Sequence, residues 1–466
     1  MKITDPNVLD AQKLLKKIES FGYKAYIAGG AVRDLLIGEK PQDIDIATNC
    51  PIKLLEQEFN THDIGQSKDF GTLTIHSLEM YGVWYDVSQF RVDGKYSDGR
   101  HPDEISLTNS FEEDVKRRDF TVNALGLSSD LELVDYVGGI ADIEKRVIRA
   151  VGDPTQRFKE DRLRMLRAAR FAAREGFTLD KATKKAVNKM ADEIYLLNDN
   201  PDRIRMEIVK AAKRSGKEFA RFILFMDELR LLHRLLPEVA AMKYFRHDMG
   251  FHPEGPTVFD HVIKCLETMT DEPPLSKIAV LFHDIGKTIM FQEKHGWKLS
   301  YHKHEKASVT LTERLVDWLR FSSFNAEAIL FAVDNHMKFQ DLPDMKPSKI
   351  ARMVSSIHFP TLLDLAKADE FSRGEVFATR DEFESKIKTA LDIKARWEHH
   401  INDHKAKLVD GLLILSLTGV KPSPLVGKIK KAVEDRIIDD NIDPQDFKAI
   451  EALIVKTYNE LKDDVV

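Results

Sequence analysis

Cysteine is scarce in this chain: its 466 residues include only Cys50 and Cys265, which lie far apart in sequence. Neither belongs to a C-x-x-C pair of the kind that binds metal, so we expect a reducing, cytoplasmic setting. Long apolar runs are also lacking, and without about 18 consecutive apolar residues no membrane span is expected. The first residues, MKITDPNVLDAQKL, contain no apolar segment typical of a signal peptide.

An excess of positive charge is lacking as well. The 70 lysines and arginines are outnumbered by 76 aspartates and glutamates, which leaves a formal net charge of −6. Because the molecule as a whole is not a polycation, any binding of nucleic acid has to depend on local basic surfaces. The length of 466 residues is too great for one ordinary hydrophobic core, so we expect two to four domains.

The spacing of apolar residues divides the chain into a mixed part and a helical part. A helical pattern at 7–20 is followed by alternating β-like and helical runs. The β-like runs lie at 24–28, 43–48, 72–76 and 83–90, and the helical runs lie at 31–37 and 51–59. From Glu160 onward the pattern is helical almost to the end. We therefore predict an α+β protein, with a small mixed-sheet head of about 145 residues followed by an elongated all-α body.

The most informative segment is Gly29-Gly30-Ala31-Val32-Arg33-Asp34, which is followed within ten residues by Asp43-Ile44-Asp45. Glycines let backbone N–H groups approach phosphate oxygens, and an arginine neutralises phosphate charge. Residues two apart on a strand point to the same face, so Asp43 and Asp45 are positioned to hold Mg²⁺ against a substrate phosphate. The alternative is a turn followed by an exposed acidic strand end.

Four blocks of sequence resemble the class II tRNA nucleotidyltransferase and bacterial poly(A) polymerase family. They read YIAGGAVRDLLIGEKPQDIDIAT, GRHPDEISLTNSFEEDVKRRDFTVNALG, LVDYVGGIADIEKRVIRAVGDPTQRF and EDRLRMLRAARFAAREGF. One such block is weak evidence, but four in the family's order over about residues 20–180 are strong evidence. The resemblance implies a nucleotidyltransferase head that uses nucleoside triphosphates.

The same resemblance implies the catalytic residues. Asp43 and Asp45 match the magnesium-binding pair of the family, whose metals activate the attacking hydroxyl and stabilise the departing pyrophosphate. Asp86, in the β-like run VWYDV, is the candidate third carboxylate. The alternative for Asp86 is an acid on the surface of an edge strand.

The nucleotide is expected to contact both the glycine turn and the segment RRDFTVNA. In that segment Arg118 and Asn123 suit triphosphate and ribose contacts, and Asp119 is expected to orient Arg118 or to bind the sugar. The alternative is a capped helix start with Asn123 in its first turns. The predicted nucleotide-binding residues of the head are Gly29, Gly30, Arg33, Asp34, Arg118, Asp119 and Asn123.

The segment 160–164 (EDRLR) is expected to open a helix with acids in its first turn. Asp161 and Arg164 are then i, i+3 neighbours that face one ligand. Arg167 and Arg170 continue the same stripe, with few acids nearby to pair them. The alternative is an ordinary amphipathic helix covered with salt bridges.

A carboxylate beside a guanidinium is able to choose between bases. Cytosine and adenine each present an exocyclic amine beside a bare ring nitrogen, whereas uracil and guanine present a carbonyl in place of the amine. Asp161 and Arg164 would accept CTP and ATP and reject UTP and GTP without a template. The family assigns this role to its E-D-x-x-R motif, here Glu160, Asp161 and Arg164, and Arg167 and Arg170 would hold the triphosphate.

Histidines and aspartates in the helical body resemble the H…HD…D ligand set of the HD superfamily of metal-dependent phosphohydrolases. The four matching residues are His261, His283, Asp284 and Asp369, and His304 and His336 fall where two-metal versions place extra histidines. The resemblance implies a transition metal such as Mn²⁺, Ni²⁺ or Fe²⁺. The site would hydrolyse a 2′,3′-cyclic phosphate or a phosphomonoester, or it would only brace the fold.

Two further segments complete the predicted organisation. The loop 91–100 resembles the flexible loop that CCA-adding members use when they switch from CTP to ATP; the alternative is an exposed hairpin tip. Beyond residue 386 the helices are basic in places and would follow tRNA phosphates, or they present an ordinary solvated face. The predicted domains are a head at 1–147, a helical neck at 148–240, an HD domain at 241–385 and a helical tail at 386–466.

The resemblance implies addition of CCA to the 3′ end of tRNA from CTP and ATP. The alternatives are an enzyme that adds only A or only CC, a bacterial poly(A) polymerase, and a phosphohydrolase or RNA-binding regulator with an inactive head. The segment 65–74 (GQSKDFGTLT) favours the tRNA enzymes, because it resembles their block ending in F-G-T. The pair Asp43 and Asp45 argues against an inactive head.

Overall fold

The computed structural model of the protein describes residues 3–62, 71–94, 105–247, 255–294, 298–374, 379–402, 409–443 and 446–462. The chain forms two compact units: the N-terminal unit is Met1–Arg214 with Glu218–Ala240, and the C-terminal unit is Ser215–Lys217 with Ala241–Val466. The predicted fold class, a small mixed-sheet head followed by a helical body, is confirmed. The division into four domains stays a prediction.

The head of the N-terminal unit alternates short helices and strands. In chain order these elements are α1 Pro6–Glu19, β1 Ala25–Ala28, α2 Gly30–Ile37, β2 Asp45–Thr48, α3 Ile52–Glu58, β3 Thr61–His62, β4 Thr72–His76, β5 Trp84–Gln89, β6 Arg91–Asp93, β7 Ile105–Leu107, α4 Phe111–Lys116, β8 Leu125–Leu127, β9 Leu133–Asp135, α5 Gly139–Glu144 and β10 Val147–Ile148. The signals for these elements are local, as at α1, where Asp5 caps the helix and Pro6 occupies its first turn.

Seven of these strands form a mixed sheet in the order β3-β4-β5-β2-β1-β8-β9. Strands β2 and β5 are parallel and place Asp45 opposite Asp86, whereas the other neighbouring pairs are antiparallel. Side chains alternate between exposed and buried along β5, where Trp84 and Asp86 are exposed and Tyr85 and Val87 are buried. The sheet therefore has one buried face and one face that is open at its centre.

Helices dominate the rest of the N-terminal unit. They are α6 Pro154–Glu160, α7 Leu163–Ala173, α8 Lys181–Met190, α9 Pro201–Ala212, α10 Gly216–Glu228, α11 Leu232–Leu235 and α12 Pro237–Ala241, with the short strand β11 Thr178–Leu179 pairing with β10. One face of α7 is fully buried through residues such as Met165, Leu166 and Ala169. Its arginines lie on the other face, next to the head.

The C-terminal unit is almost entirely helical. Its elements are α13 Val258–Thr268, α14 Pro274–Phe282, α15 Lys287–Met290, β12 Gln292–Lys294, β13 Lys298–Ser300, α16 His304–Trp318, α17 Ser323–Gln340, α18 Pro347–Val354, α19 Phe359–Ser372, α20 Arg380–Asn402, α21 Gly411–Thr418, α22 Pro424–Asp439 and α23 Phe447–Leu461. Helix α13 begins at a reciprocal cap in which Thr257 and Asp260 exchange hydrogen bonds. No helix among the described residues is long and apolar enough to cross a bilayer.

Candidate functional site

Two carboxylates, Asp45 and Asp86, lie side by side on the open face of the sheet, and a third, Asp43, lies in the segment before β2. Strand β2 begins at Asp45, so Asp43 lies two residues before the strand; the prediction that both residues belong to the strand was wrong for Asp43. The parallel register of β2 and β5 places Asp86 beside Asp45. Strand β5 lies between β4 and β2, so the alternative that Asp86 is an edge-strand acid is also wrong. The hydroxyl of Thr74 donates to Asp86 Oδ1 at 2.9 Å.

The negative charges of these carboxylates are only partly balanced by nearby cations, which affects the pKa of Asp45. Desolvation, the Asp86 carboxylate and the Asp43 carboxylate raise the pKa of Asp45, and the Arg118 guanidinium only partly offsets this. Adjacent carboxylates repel one another, and a bound cation relieves the repulsion. Carboxylate oxygens are also the ligands that Mg²⁺ prefers, so the donor chemistry fits a divalent cation at this place.

The glycine turn before α2 lies beside an arginine of the next motif. Gly29 has a φ of +77°, which side chains rarely adopt, and a Cβ built there would be 3.1 Å from Arg118 Nη1. Gly30 is the first residue of α2. Both glycines line the cavity that contains the three carboxylates. A side chain at position 29 would therefore crowd Arg118 where this arginine approaches the turn.

Arg33 is buried and already engaged. Its Nη2 lies 2.7 Å from Asp34 Oδ1, and its Nη1 donates to the side-chain oxygen of Asn123. Arg174, at the end of α7, reaches the same Asp34 oxygen at 3.0 Å. Arg33 lines the cavity but is only 6% exposed, so its direct role in neutralising phosphate stays a prediction.

Arg118 is oriented by a carboxylate that the sequence analysis did not identify. Asp114 is buried and accepts hydrogen bonds from Arg118 Nη2 at 3.1 Å and from Arg117 Nη2 at 2.7 Å. Burial alone would raise the pKa of Asp114, but the two guanidiniums lower it. The expectation that Asp119 orients Arg118 was wrong. The i, i+4 spacing of Asp114 and Arg118 was the signal that could have shown this.

Asp119 instead joins two other predicted site residues. Its Oδ2 accepts from Arg167 Nη2 at 2.6 Å, and its Oδ1 accepts from Asn123 Nδ2 at 3.2 Å. Although burial acts in the opposite direction, Arg167 and Asn123 lower the pKa of Asp119 to about 2. Asp119 is therefore an anion that fixes Arg167 of α7 against the segment after α4.

The segment 160–164 does not open a helix. Glu160 is the last residue of α6, Asp161 is extended with φ −147° and ψ 109°, and α7 begins at Leu163 with no acid in its first turn. The break follows from side-chain bonds of Asp161, whose Oδ1 accepts from Leu163 N at 3.0 Å. Its Oδ2 lies 2.7 Å from Arg203 Nη2 of α9. The predicted acidic first turn was therefore wrong.

The predicted base-choosing pair nevertheless lies together. Asp161 and Arg164 both line the cavity with the three carboxylates. Glu160 forms an ion pair with Arg164, in which Glu160 Oε2 is 2.7 Å from Arg164 Nη1. Glu160 itself is buried and does not line the cavity, so the structure gives it a supporting position and not a ligand-facing one.

The remaining arginines of α7 are paired, which corrects the expectation that few acids are available to them. Arg170 Nε lies 2.6 Å from Glu207 Oε2, and Arg167 Nη1 lies 3.6 Å from Glu207 Oε1. The ring of Phe171 is surrounded by Arg170 at 4.1 Å, Arg167 at 5.2 Å and Arg33 at 5.0 Å. Glu207 belongs to α9, the second helix after α7. The sequence analysis missed both Glu207 and Phe171.

Most of these residues line one large cavity in the N-terminal unit, with a volume of about 1020 Å³; Thr74, Asp114, Glu160 and Glu207 do not line it. Eleven lysines and arginines and seven aspartates and glutamates line it. The local excess is positive although the chain as a whole is acidic. A cavity with this lining suits a polyanion such as a nucleoside triphosphate, with the carboxylates at one part of its wall.

The six predicted ligands of the helical body lie together in the C-terminal unit and are all buried. His261 Nε2 is 3.2 Å from Asp369 Oδ1, and His304 Nε2 is 3.2 Å from both Asp284 Oδ1 and His336 Nε2. Their donor atoms form two groups that are each compact enough to hold a metal ion. The groups are His261, Cys265, His283 and Asp369, and Asp284, His304 and His336.

The hydrogen bonds of these histidines direct their other nitrogens inward. The Nδ1 atoms of His283, His304 and His336 each lie 2.7–2.9 Å from a backbone carbonyl, to which they must donate. In a neutral imidazole each Nε2 is then the acceptor nitrogen, as in a metal ligand whose outer nitrogen is fixed by a hydrogen bond. Burial lowers the pKa of His336 to about 3, so this imidazole is neutral at pH 7.

Two buried atoms of this cluster also lack a hydrogen-bonding partner of suitable geometry among the described residues, although His304 Nε2 lies 3.2 Å from one of them. By hydrogen-bond geometry, His283 Nε2 and Asp284 Oδ1 find no such partner within the part of the chain that the structure describes. Burial alone would raise the pKa of Asp284, but His283 and Lys287 hold this pKa well below its usual range. The neutral imidazole of His336, together with the other imidazoles and the ionised carboxylates, fits a borderline transition metal.

Two neighbours of this cluster were not predicted. Cys265 Sγ lies 3.5 Å from His261 Nε2, and the i, i+4 spacing on α13 was the available signal. Lys287 Nζ lies 2.6 Å from Asp284 Oδ2.

Some predicted segments lie partly or wholly outside the described residues. In the predicted loop 91–100, residues 91–93 form β6 and residues 95–100 are not described. Most of the segment 65–74 and the tail residues Lys405 and Lys407 are also not described.

Comparisons with known families match three successive segments of this chain. The Poly A polymerase head domain matches residues 25–149. A region described as "Probable RNA and SrmB- binding site of polymerase A" matches residues 176–243. The HD domain matches residues 258–373. The resemblances that the motifs predicted are confirmed by these matches.

Curated relatives carry the description CCA-adding enzyme. That of Leuconostoc mesenteroides is 41% identical over 213 residues, which are 45% of this chain and 51% of that protein. That of Lactobacillus gasseri is 38% identical over 259 residues, which are 54% of this chain and 61% of that protein. The chain thus spans about half the length of the curated relatives that it matches.

Solved structures share the whole fold at low sequence identity. The Bacillus stearothermophilus CCA-adding enzyme in complex with CTP has a TM-score of 0.70 and 23% identity, covering 99% of this chain and 100% of that one. The Thermotoga maritima CCA-adding enzyme complexed with tRNA has a TM-score of 0.57 and 18% identity, covering 97% and 96%. This chain therefore carries a poly A polymerase head domain, the RNA-binding region of polymerase A and an HD domain, in that order, and has the fold of the CCA-adding enzymes.

Proposed function

We propose that this protein is a nucleotidyltransferase that adds CCA to the 3′ end of tRNA, using CTP and ATP with Mg²⁺ and no nucleic-acid template. The observation that carries the proposal is that Asp45, Asp86, Asp161 and Arg164 line a single cavity. Carboxylates for a cation and a carboxylate–guanidinium pair for a base are thereby placed around one ligand. The relatives described as CCA-adding enzymes support the choice of reaction.

In this reaction the 3′-oxygen of the RNA bonds to the α-phosphorus of the nucleotide while the bond to pyrophosphate breaks. Mg²⁺ bound at Asp43 and Asp45 would lower the pKa of the attacking hydroxyl and stabilise the charge on pyrophosphate. Asp86 adds a third carboxylate beside Asp45. Arg118 is held by Asp114 next to the glycine turn, where its charge faces the triphosphate.

The base is chosen by side chains that are held before the nucleotide arrives. Asp161 is fixed by Leu163 N and Arg203, and Arg164 is fixed by Glu160. The carboxylate accepts a hydrogen bond from the exocyclic amine of cytosine or adenine, and the guanidinium donates to the adjacent ring nitrogen. A carbonyl of uracil or guanine would face the Asp161 carboxylate with like polarity, so UTP and GTP are rejected.

Extension of three tRNAs, ending in the discriminator base, in C and in CC, tests the proposal at single-nucleotide resolution. CTP and ATP are supplied alone and together, and an Asp45→Asn variant serves as the inactive control. We expect ordered addition that stops at CCA. Addition of A alone to the CC end, or of CC alone, would indicate an enzyme of split specificity, and long A tails would indicate a poly(A) polymerase. No extension would overturn the proposal.

The buried cluster of the C-terminal unit supports a second function. We propose that His261, His283, Asp284, His304, His336 and Asp369 hold one or two ions of Mn²⁺, Ni²⁺ or Fe²⁺. A bound ion of this kind supplies an activated water for hydrolysis of a 2′,3′-cyclic phosphate or a phosphomonoester. The inward Nε2 lone pairs of three histidines carry the proposal of a metal. Opening of the cyclic phosphate to a phosphomonoester, or release of inorganic phosphate from the monoester, by wild type but not by Asp284→Ala tests the activity.

A further inference from the structure

Four aromatic and imidazole side chains of the head form an exposed cluster, which we call the rim cluster: His62, His76, Tyr81 and Trp84. The rings of His76 and Trp84 are 4.8 Å apart and nearly perpendicular. His62 lies 6.0 Å from Trp84, and Tyr81 lies 6.4 Å from His76. Trp84 is 43% exposed and Tyr81 is fully exposed, although large aromatic side chains are usually mostly buried.

The rim cluster shares a sheet face with the catalytic carboxylates. Trp84 is two residues before Asp86 on β5, so both side chains point to the same face, roughly 7 Å apart along the strand. The antiparallel register pairs His76 with Trp84 and Thr74 with Asp86. His62 is paired with Thr74 on the next strand. The cluster therefore continues the face of Asp45 and Asp86 outward across β5, β4 and β3.

The cluster and the nucleotide-binding arginines lie on opposite sides of the carboxylates. In the sheet order, β1 and the glycine turn follow β2 on one side, and β4 and β3 follow β5 on the other. The cavity lining extends from Asp45 toward α2 and α7 and reaches Thr72 of β4 on the other side, but it does not include the rim cluster. In a transfer to the α-phosphorus the attacking oxygen and the leaving pyrophosphate are roughly in line. If the triphosphate occupies the arginine side, the attacking RNA end has to come from the other side.

We propose that the rim cluster stacks the bases of the single-stranded 3′ end of the RNA and so positions its terminal hydroxyl at Asp45 and Asp86. This inference rests on the proposed function, because that function supplies an RNA end as substrate. Aromatic side chains bind unpaired bases by stacking, and the exposed ring of Trp84 beside His76 offers such a surface.

The hydrogen bonds of His76 explain why this surface would tolerate different bases. Nδ1 donates to Ser77 O at 2.7 Å, and Nε2 accepts from Gly82 N at 3.3 Å, so both ring nitrogens are used by the backbone. The imidazole then has no hydrogen-bonding group left to read a base edge. A stacking surface without edge contacts suits an RNA whose terminal base changes with each addition.

Steady-state addition of C to a tRNA that ends in the discriminator base tests the inference. Trp84→Ala should raise KM for the tRNA by about 5- to 100-fold, the range expected for lost base stacking, and should leave KM for CTP within about twofold. Trp84→Phe keeps a stacking ring and should restore most of the tRNA affinity. Tyr136→Ala is the matched control, because Tyr136 is an aromatic residue of the head that is 48% exposed, follows β9 at the opposite edge of the sheet and lies outside the cavity lining.

A binding measurement separates this inference from the proposed function. Tryptophan emission is titrated with a tRNA ending in 3′-deoxycytidine, which cannot be extended, and with an RNA hairpin that has a blunt end. Wild type should show quenching by the tRNA that Trp84→Phe lacks, and the hairpin should not cause it. If wild type extends tRNA but Trp84→Ala has an unchanged KM for tRNA, the inference is overturned and the proposed function stands. If wild type extends no tRNA and no Trp84-dependent quenching occurs, both are overturned.

Discussion

Asp119 holds Arg167 across the wall of the cavity, with Arg167 Nη2 2.6 Å and Arg167 Nε 2.8 Å from the same carboxylate oxygen. Asp119 follows α4 of the head and Arg167 belongs to α7, 48 residues later. The pair therefore connects the part of the N-terminal unit that carries the proposed metal-binding carboxylates to the helix that carries Arg164, the proposed base-choosing arginine. Arg164 on the same helix depends on this placement.

Asp119→Ala should lower the free energy of unfolding of the N-terminal unit by about 3 kcal/mol, because it leaves the half-buried Arg167 without its main partner. The two units need not unfold together, so the readout has to be local. Pulse-labelling hydrogen exchange of α7 amides in urea provides it. Asp130→Ala, at an exposed acid of the same unit, is the control and should change little. Equal protection in both variants would contradict the role of Asp119.

The contribution of Asp119 should also depend on pH. Arg167 and Asn123 lower the pKa of Asp119 to about 2 from an ordinary value of 3.8. A lowered pKa stabilises the folded protein above the unfolded value, and this contribution is lost as the pH falls through the folded value. The stability difference between wild type and Asp119→Ala should therefore be constant from pH 8 to about 4 and shrink between about 4 and 2. Labelling at a fixed pH, after equilibration in urea at each test pH, measures it.

Asp45→Asn should abolish nucleotide addition and yet stabilise the ion-free protein by up to about 2 kcal/mol. The pKa of Asp45 is raised, so its ionisation opposes folding once the pH rises above the unfolded value. Thermal unfolding at pH 7 with and without Mg²⁺ checks this, because Mg²⁺ should stabilise wild type but not the variant. Asp43→Ala should likewise be inactive and folded. Normal addition by either variant would show that the site is assigned wrongly.

Asp161→Ala or Arg164→Ala should relax the choice of base more than it weakens binding of the triphosphate. Discrimination against UTP relative to CTP should fall by at least about tenfold, since the rejecting carboxylate or the donating guanidinium is gone. The ratio of kcat/KM values for CTP and UTP measures it. Arg162→Ala is the matched control, because Arg162 binds Lys159 O and Glu193 and does not line the cavity. Unchanged discrimination in both cavity variants would count against the selection model.

His283→Ala or Asp284→Ala should remove most of the transition metal that co-purifies with the protein while leaving nucleotide addition intact. The physical reason is that the inward Nε2 and carboxylate donors are lost from the buried cluster, whereas the carboxylates of the head are untouched. Elemental analysis of the purified protein and the tRNA extension assay give the two readouts. His302→Ala changes an exposed histidine close to His304 in sequence and should retain the metal. Equal metal content in all variants would exclude the cluster as the binding site.

Much of the site was predictable because its signals are local. The glycine turn and the pair Asp43 and Asp45 are short spacings in the sequence, and the strands β1, β2, β4 and β5 lie within a residue or two of the predicted runs. The HD ligands lie on or directly after several helices, and their order was predicted from the resemblance to a known family. The prediction for 160–164 failed because Asp161 leaves the helix to cap α7 and to bind Arg203 from α9. That partner is 42 residues away, so no local spacing reveals it.

The sequence by itself determined which chemistry is present: a phosphate-binding turn, three candidate carboxylates, an arginine-rich helix and a set of imidazole and carboxylate ligands. Only the tertiary structure decided how these groups are paired. Glu207 neutralises arginines of α7, Asp119 binds Arg167 from 48 residues away, and the parallel register of β2 and β5 places Asp86 beside Asp45. The reason is physical: composition and periodicity fix local conformation, whereas the partner of a buried charge is set by strand order and helix packing between residues distant in sequence.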